Sequence, residues 1–426
     1  MASKALRAIL LGAGQRGNAY CDYALNHPGR LQIVGAAEPD PTRRKNFQKK
    51  HGISDLDCFD TWEDVFTREK WADVVIICTR DNMHYGPAMA AIARGYDILL
   101  EKPISPDPKE CMEIAQAADA KGVKAVVCHV LRYTPFFLKI KEIIDSGEIG
   151  DVITVVHNEN VGDLHHSHSF VRGNWSVSQA SCPMILAKSC HDMDIIQWLL
   201  GKDCLKLSSF GSLSYFTKDN CPEGAPPRCT DGCKEADCPY DARKLYLNNG
   251  TEWFRSVAAG HFNATDEEVE AALKAGPYGR CVFQCDNDVV DHQVVSMEFE
   301  GGVTAIFSMS SFTPDISRSI KVMGTKGQIR GHSIPETIKV FSFVTRSERE
   351  IHAGSRGGHG GGDIGIMEAF CAYVSGKNLN FNLAAAISEA NISAQNHMLC
   401  FAAEKSRLQG GAIVEIKTFI EEIWRT

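Results

Sequence analysis

The sequence predicts an α/β protein in two parts, an N-terminal domain on a parallel sheet (1–130) and a C-terminal α/β domain on a mostly antiparallel sheet (131–426). Before residue 130, continuous apolar runs such as RAILLGAG and ADVVIICT alternate with helical stretches, which is typical of strands buried on both faces. After residue 150, strand-like stretches follow one another across short turns such as EGG and GTKG. A chain of 426 residues also exceeds the size at which one core usually splits into two.

The elements of both parts are predicted from these patterns. The helices are expected at 84–94, 108–121, about 183–200, about 363–376 and 383–407. The strands of the first part are expected at 7–14, 31–38, 72–79, 96–102 and 124–130, and those of the second at 151–160, 206–216, 292–312, 318–332 and 336–344. A stretch rich in Pro, Gly and Cys (about 217–245) is predicted to be an insertion, and the glycine-rich 354–363 a loop.

Composition excludes several classes of function. The net charge of −8 argues against nucleic acid and anionic membranes as partners, since both favour basic surfaces. No apolar run approaches the roughly 20 residues that span a bilayer, and no signal peptide is expected. Sixteen cysteines without a secretion signal favour a reducing cytoplasm.

A glycine-rich loop follows the first predicted strand. Gly12, Gly14 and Gly17 fit the spacing G-x-G-x-x-G and open a helix. Glycines let a dinucleotide pyrophosphate reach the N–H groups and the positive dipole end of that helix. Glu38 ends the second predicted strand about 20 residues later, where an acid binds the ribose hydroxyls of NAD and repels the extra phosphate of NADP. Because Arg43 and Arg44 lie nearby, NADP stays open as the less favoured cofactor.

Further motifs resemble one known family. The chain resembles the glucose–fructose oxidoreductase/inositol dehydrogenase (Gfo/Idh/MocA) family in six pieces that occur in order: LLGAGQRG (10–17), TRDNMH (79–84), LLEKPIS (99–105), LRYTPFF (131–137), SGEIGDV (146–152) and CHDMDIIQWLLG (190–201). The resemblance implies a Rossmann domain followed by a domain on an open, mostly antiparallel sheet, with the nicotinamide between them. It also implies oxidation of a sugar or cyclitol hydroxyl, or reduction of the ketone, by an enzyme that forms homodimers or homotetramers.

The resemblance also implies functional residues. Lys102 of the EKP motif, whose bond to Pro103 is often cis in this family, and His191 are the implied catalytic residues. A lysine ammonium can stabilise the developing alkoxide, and a neutral imidazole can take the hydroxyl proton. Besides Gly12, Gly14, Gly17 and Glu38, the expected cofactor-binding residues are Gln15, Arg16, Thr79, Asn82, His84, Glu101 and Lys102.

One position departs from the family pattern. Dehydrogenases of the family commonly carry an aspartate four residues before the histidine, and here that position is Ala187. The following residue, Lys188, could supply a second cation, or a base if burial lowers its pKa. Lys188 is therefore a third catalytic candidate. Asp194, one turn after His191, is expected to orient the helix rather than to react.

A histidine-rich stretch is a candidate substrate or metal site. His165, His166 and His168 follow a predicted strand, and the last two would share one face if extended. They are interpreted as a metal pair, as groups that bind sugar hydroxyls, or as a solvated loop. Arg172 and Trp175 fit the same carbohydrate pocket, although a tryptophan is also typical of a core.

Two loops add candidates. His359 is a candidate substrate contact, and Asp363 a candidate N-cap of the next helix. The predicted insertion holds four cysteines that could bind one structural zinc ion, although free thiols, disulfides and an iron–sulfur cluster stay open: Cys221, Cys229, Cys233 and Cys238.

The favoured function is an NAD-dependent oxidoreductase that acts on a hydroxyl or ketone of a sugar, cyclitol or glycoside. The alternative is a redox-neutral, NAD-dependent glycosidase that oxidises a sugar carbon transiently, eliminates the glycosidic group and reduces the product again. A nucleotide-binding regulator without catalysis is the third hypothesis.

Overall fold

The computed structural model describes residues 5–248, 251–354, 358–379 and 381–425. It contains a six-stranded parallel sheet and a nine-stranded mixed sheet. The strands of the first sheet are β1 (Leu6–Leu11), β2 (Leu31–Ala37), β3 (Cys58–Phe59), β4 (Val74–Ile77), β5 (Asp97–Leu100) and β6 (Ala125–Val127). Their spatial order is β3-β2-β1-β4-β5-β6, the doubly wound arrangement in which ligands bind outside the carboxyl ends of the strands.

Helices cover both faces of this sheet, which explains the apolar runs. Ile9, Leu10 and Leu11 are all fully buried, because each face of the sheet packs against its own layer of helices. The helices up to the second sheet are α1 (Gln15–Asn26), α2 (Pro41–His51), α3 (Trp62–Val65), α4 (Tyr85–Ala93), α5 (Pro108–Lys121) and α6 (Pro135–Asp145). The predicted helices at 84–94 and 108–121 are confirmed by α4 and α5.

The second sheet is antiparallel except where β10 runs parallel to β7. Its strands are β7 (Val152–Asn160), β8 (Cys204–Ser212), β9 (His292–Phe299), β10 (Thr304–Ser310), β11 (Ser317–Gly324), β12 (Gly327–His332), β13 (Thr337–Ser342), β14 (Glu348–His352) and β15 (Val414–Glu415). Their order is β14-β13-β12-β11-β7-β10-β9-β8-β15. The EGG and GTKG turns link β9 to β10 and β11 to β12, as predicted.

The remaining helices lie against this sheet, in the segment between β8 and β9, and at the C-terminal end. They are α7 (Asp163–His166), α8 (Met184–Ala187), α9 (Cys190–Leu200), α10 (Glu252–Ala259), α11 (Asp266–Ala275), α12 (Gly362–Val374), α13 (Phe381–Ala385), α14 (Ala390–Leu408) and α15 (Ile416–Arg425). The single helix predicted over 183–200 is wrong, because the chain breaks between α8 and α9 at Lys188 and Ser189. The helix predicted over 383–407 is likewise divided into α13 and α14.

Helix α14 and the residues just before it return to the first sheet. Ser388 donates a hydrogen bond to the carbonyl of Val127 at 2.6 Å, and the N–H of Ile104 donates to Nε2 of His397 at 3.0 Å. These bonds fix β6 and the segment after β5 against the second half of the chain. Across the described residues, no helix is both long and apolar enough to cross a membrane.

Candidate active site

The glycine loop lies between β1 and α1, and each of its three positions is a glycine for a different physical reason. Gly12 has φ +91°, and a Cβ there would lie 2.5 Å from the Cys78 carbonyl oxygen. A Cβ at Gly17 would lie 2.2 Å from the Gly12 carbonyl oxygen, so this glycine allows the helix to approach the strand.

Gly14, the N-cap of α1, is different from the other two glycines. Its φ is −72°, and apart from its chain neighbours and the backbone of its own helix, no heavy atom of the described residues lies within 4 Å of where its Cβ would be. Folding alone therefore does not require a glycine at this position. The open space in front of it, facing the free N–H groups of the first turn of α1, fits a ligand phosphate.

Other predicted cofactor residues surround this loop. Glu38 is buried beside it, and its carboxylate accepts hydrogen bonds from the N–H of Ala13 at 2.8 Å and of Asp40 at 3.0 Å. Gln15 and Asn82 are exposed at this edge of the sheet, as a ligand contact requires. The hydroxyl of Thr79 is bonded to the carbonyl of Met83 at 3.1 Å, inside the loop after β4.

Three residues predicted to bind the cofactor have side chains that are used within the protein. Nε of Arg16 donates to Glu101 at 2.8 Å, and Nη2 donates to Asp363 at 2.7 Å. The other carboxylate oxygen of Glu101 accepts the Lys102 N–H at 2.7 Å. The ring nitrogens of His84, which is 1% exposed, lie 2.7 Å and 3.1 Å from the carbonyl oxygens of Pro103 and Thr79.

The contacts of these three side chains hold the loops at the carboxyl ends of the strands in place, and their role in cofactor binding stays a prediction. Burial alone would raise the pKa of the Glu101 carboxyl, but Arg16 and Lys102 bring it below its usual value. Glu101 stays ionised and keeps its two cationic neighbours in place.

Lys102 lies where the two halves of the chain meet. Its Nζ donates a 2.7 Å hydrogen bond to the Ala187 carbonyl, which belongs to the last turn of α8. Its bond to Pro103 is cis, as the resemblance implies. Burial alone would lower the pKa of Lys102, but acidic groups around it, Cys190 and Glu101 first among them, raise it. The side chain is therefore a stable cation at neutral pH.

The break between α8 and α9 makes this contact possible. In a continuous helix the Ala187 carbonyl would accept the N–H four residues on, whereas here it is free to accept Nζ of Lys102. Asp81, which follows β4, accepts the indole N–H of Trp175 at 2.8 Å and the hydroxyl of Ser181 at 3.3 Å. Asp81 also contributes to the raised pKa of Lys102. Sequence reasoning did not single out Asp81.

His191 lies on the first turn of α9 and is 7% exposed. Burial first, and then the charge of Lys102, lowers its pKa well below the ordinary value. Its Nδ1 is buried and has no hydrogen-bond partner among the described residues. His191 is therefore a neutral imidazole of low proton affinity, next to the Lys102 cation.

Lys188 lies in the break itself. Its Nζ is 3.5 Å from Oε1 of Glu159, a residue of β7 that is fully buried. Burial lowers the pKa of Lys188, and the charges of Arg318 and Lys102 add to this effect while Glu159 opposes it. Sequence reasoning missed Glu159, although the alternation along β7 places residues 155, 157 and 159 on the buried face.

Asp194 is held by structural contacts, as expected. Its carboxylate accepts Nε and Nη2 of Arg132 at 2.8 and 2.6 Å, and Nδ2 of Asn396 at 2.5 Å. All three side chains are buried. This ion pair joins α9 to the segment after β6 and to α14.

The histidine-rich stretch is helical, so the extended arrangement that would place His166 and His168 on one face does not occur. Residues 163–166 form α7 and 167–172 a π-helical turn, so residues two apart do not share a face. His166 bonds to the hydroxyl of Ser311 at 2.6 Å, and His168 bonds to that of Tyr246 at 2.8 Å. Burial lowers the pKa of both histidines to about 3. His166 and His168 are therefore core residues, neither a metal pair nor contacts of a sugar.

His165 and Trp175 lie closer to the candidate site. His165 is 9% exposed, with Nδ1 at 3.1 Å from the Val161 carbonyl oxygen. Burial first, and then Lys188, lowers its pKa well below the ordinary value. Trp175 is bonded to Asp81, so it links the two halves of the chain beside Lys102.

Arg172 does not line a pocket. It is 2% exposed and donates to the carbonyl oxygens of Arg280 at 2.8 Å and Tyr240 at 2.6 Å. The prediction that it binds carbohydrate is wrong, because its role is to attach the segment between β8 and β9.

The loop before α12 is only partly described, since residues 355–357 lie outside the described ranges. His359 has φ +47° and lies 3.0 Å from a carboxylate oxygen of Asp363 through its Nδ1. The N-cap of α12 is Gly361, so the N-cap predicted for Asp363 is wrong. Asp363 instead pairs with Arg16 and His359, and places the half-exposed His359 at the rim of the glycine loop.

The four-cysteine metal site is not supported. Among the described residues, which include all four cysteines, no group of three or more His, Cys, Asp or Glu side chains could hold a metal ion. Cys221 instead accepts a hydrogen bond from Gln284 at 3.4 Å, and Cys229 accepts one from Arg172 at 3.8 Å. All sixteen cysteines of the chain are free thiols.

Comparison with known proteins identifies the family. Residues 6–129 match the profile of the GFO_IDH_MocA oxidoreductase family with an NAD-binding Rossmann fold, and 141–358 match the C-terminal alpha/beta domain of the same family. The chain therefore belongs to the Gfo/Idh/MocA oxidoreductases, as the motifs indicated.

Individual relatives are distant. The protein YteT of Bacillus subtilis is 27% identical over 360 residues, which cover 79% of this chain and 81% of that protein. An inositol 2-dehydrogenase of Salmonella typhimurium is 26% identical over 46% of this chain and 55% of that enzyme.

Solved structures show the same fold at low identity. An inositol dehydrogenase homologue from Azotobacter vinelandii, in complex with NAD+, has a TM-score of 0.70 at 15% identity and covers 97% of this chain and 98% of its own. A levoglucosan dehydrogenase in complex with NADH and L-sorbose has a TM-score of 0.69 at 16% identity, covering 97% and 99%.

Proposed function

We propose that this protein is an NAD-dependent dehydrogenase that oxidises a hydroxyl of a sugar, cyclitol or glycoside, or reduces the corresponding ketone. The observation that carries the proposal is the position of Lys102, a stable cation where the parallel-sheet half of the chain (1–130) meets the substrate half (131–426). The similarity to an inositol 2-dehydrogenase supports a polyol substrate.

The geometry favours NAD as the cofactor. Gly14 and the free N–H groups of α1 would hold the pyrophosphate, and Glu38 would lie beside the ribose. Arg44 forms an ion pair with Asp60 at 2.7 Å, which weakens its attraction for a 2′-phosphate. When bound, the nicotinamide supplies the acceptor for the hydride of the substrate carbon.

The residues of the chain supply the remaining chemistry. Lys102 holds the substrate oxygen and stabilises negative charge on it as the hydroxyl proton leaves. His191 and Lys188 are the two candidates for accepting that proton. His165, Trp175 and His359 border this region and are the proposed contacts of the remaining substrate hydroxyls.

The test is a panel of sugars, cyclitols and glycosides with NAD+, followed by the absorbance of reduced nicotinamide. At least one polyol should give a steady increase. Failure of every polyol and every corresponding ketone, on protein that binds the cofactor tightly, would contradict the proposal. Release of an aglycone without net reduction would instead identify the glycosidase, which lost support when His166 and His168 proved to be core residues.

Replacement of Gly14 by valine separates binding from folding. The larger side chain fills the space in front of α1, so we expect NAD+ to bind at least about tenfold more weakly, a loss of about 1.4 kcal/mol. Stability should fall by only about 1 kcal/mol, the usual cost of a poorer N-cap. Binding is measured by fluorescence titration with the reduced dinucleotide, and stability by urea unfolding.

Gly29→Val is the matched control, because the Cβ position of Gly29 is also free of neighbours and its φ is not positive. Gly29 lies outside the loop, so affinity should be unchanged there. Equal affinity in Gly14→Val and the wild type would mean that the pyrophosphate does not lie at this helix.

The open face of the second sheet favours a homo-oligomer. Phe210, Val294 and Ile306 are 57%, 42% and 47% exposed on the adjacent strands β8, β9 and β10. An apolar patch of this kind is typical of a surface that a second copy covers. We therefore propose a homodimer or homotetramer built on this face.

Ile306→Lys tests the oligomer. In multi-angle light scattering, the wild type should have a mass that is a multiple of 46.8 kDa, and the variant should have the mass of the monomer because a buried charge disfavours the interface. Leu56→Lys, which places the same charge at an exposed apolar position outside this sheet, is the control and should leave the mass unchanged. A wild-type protein of 46.8 kDa at micromolar concentration would refute the oligomer.

A further inference from the structure

A buried cluster of charged residues lies beside Lys188, and it has no role in the function proposed above. It joins β7, α9 and β11 to the break between α8 and α9. Nε of Arg318 donates to Asp192 at 2.8 Å, and His157 lies 2.8 Å from the same carboxylate through Nε2. Arg318 also forms an ion pair with Glu159.

Glu159 is the member of this cluster that faces Lys188. It is fully buried, yet neither carboxylate oxygen accepts a hydrogen bond of ordinary geometry within the part of the chain that is described. An ionised carboxylate in such a place is strongly destabilised unless cations offset the loss of water. Two cations do so here, Arg318 and Lys188.

Lys188 differs from Lys102 in how its amine is used. Lys102 donates a hydrogen bond to a carbonyl, whereas no acceptor for the amine of Lys188 is found in the described ranges. At 3.5 Å from Glu159 the amine is attracted without being hydrogen-bonded, and the side chain is still 16% exposed. The N–H groups of Lys188 therefore remain available to a ligand.

We propose that Glu159 is a positioning residue that holds Lys188 at the cleft and makes it, rather than His191, the acceptor of the substrate hydroxyl proton. This inference rests on the proposed function. The O–H bond breaks and its proton goes to the neutral Lys188 amine. The C–H hydride, with its two electrons, goes to the oxidised nicotinamide, and the carbon–oxygen double bond forms.

The electrostatics of the pair agree with this role. Burial raises the pKa of Glu159 and lowers that of Lys188, so burial works against the charged form of both groups. A proton acceptor works best when its pKa lies near the working pH. His191 does not meet this condition, since burial takes its pKa far below the ordinary value. The charged and titratable groups around Lys188 are Glu159, Arg318, Lys102, Asp192 and His165.

The test follows the Lys188 amine directly, without cofactor or substrate. Trace acetylation with isotopically labelled acetic anhydride, between pH 6 and 11, gives the titration midpoint of each lysine by mass spectrometry. The shape of the curve reports the proton affinity, and its height reports only accessibility. In the wild type, Lys188 should titrate at lower pH than the exposed Lys121.

Glu159→Gln removes the charge that opposes deprotonation of Lys188. The midpoint of Lys188 should therefore move to still lower pH, and the fraction of neutral amine below the midpoint should grow about tenfold for every pH unit by which the midpoint falls. Glu159→Asp keeps the charge and should restore most of the wild-type midpoint. Glu148→Gln, which removes a surface partner of Arg349, is the control and should change neither Lys188 nor Lys121.

A Lys188 midpoint that coincides with that of Lys121 in the wild type would overturn the proposal, and this arm decides even if Glu159→Gln does not fold. A Glu159→Gln curve that changes in height with an unchanged midpoint would also overturn it, because Glu159 would then only fill space. If the midpoints are as expected but the protein oxidises no polyol, the proposed function would be refuted. The role of Glu159 in holding Lys188 would then still stand.

Discussion

Lys102→Met is expected to lower kcat/KM for the best polyol of the panel by about 10²- to 10³-fold, the usual loss when one donor to a developing oxyanion is removed. The reason is the position of the ammonium group, which is fixed by the Ala187 carbonyl and kept charged by its acidic neighbours. Methionine preserves the length and the packing of the side chain. The rate is followed by the absorbance of reduced nicotinamide.

The matched control is Lys121→Met, at an exposed position in the last turn of α5, which should leave the rate unchanged. NAD+ affinity should stay within a few fold in both variants, because the proposed pyrophosphate contacts at Gly14 do not involve the Lys102 side chain. Full activity in Lys102→Met would remove the lysine from the mechanism. If the wild type shows no turnover and Lys102→Met binds the cofactor as the wild type does, the non-catalytic regulator would be favoured.

Asp194→Ala is expected to destabilise the protein by about 3–5 kcal/mol, since it leaves Arg132 as a buried, unpaired cation. Arg132 is 1% exposed, so water cannot replace the lost carboxylate easily. Urea unfolding followed by circular dichroism measures the loss. Asp151→Ala, at an exposed position before β7, should cost less than about 0.5 kcal/mol.

The same pair predicts a pH dependence. Burial alone would raise the pKa of Asp194, but Arg132 lowers it below the ordinary value. A carboxyl of this kind stabilises the fold fully above its unfolded pKa of about 3.9, and the contribution is lost as the pH falls through the lower folded pKa. The stability difference between wild type and Asp194→Ala should therefore shrink below about pH 4. A difference that stays constant down to pH 2 would contradict the ion pair.

Much of the first half of the fold could be predicted from the sequence. Strands buried on both faces need apolar side chains at every position, and β1 and β4 are continuous runs for that reason. The glycine loop was recognisable because its spacing reflects two tight backbone contacts at Gly12 and Gly17. The helices α4 and α5 were predicted within a residue or two, since each has a clear apolar period.

The break before α9 could not be predicted. The residues from Met184 to Leu200 are apolar at helical spacing throughout, so periodicity favours one helix. At the break, Lys102 donates to the Ala187 carbonyl and Glu159 lies 3.5 Å from the Lys188 amine, and both partners are distant in sequence. Such partners are brought in by the tertiary structure and leave no local signal.

The prediction of a metal or sugar site at the histidine-rich stretch was wrong for a related reason. Polar residues such as His166 and His168 indicate a ligand site or a solvated loop, yet each lies against aromatic rings supplied by later segments. Glu159, by contrast, was not predicted as a site residue, because an acidic residue at an inward position of β7 was not recognised as buried. The period of two along that strand, applied strictly, would have found it.

Calorimetric titration of NAD+ into folded protein freed of carried-over nucleotide tests the central claim, a dinucleotide held at the glycine loop beside Lys102. We expect heat that saturates at one NAD+ per chain, with weaker binding of NADP+. Absence of heat with NAD+, NADH and NADP+ alike would contradict the account.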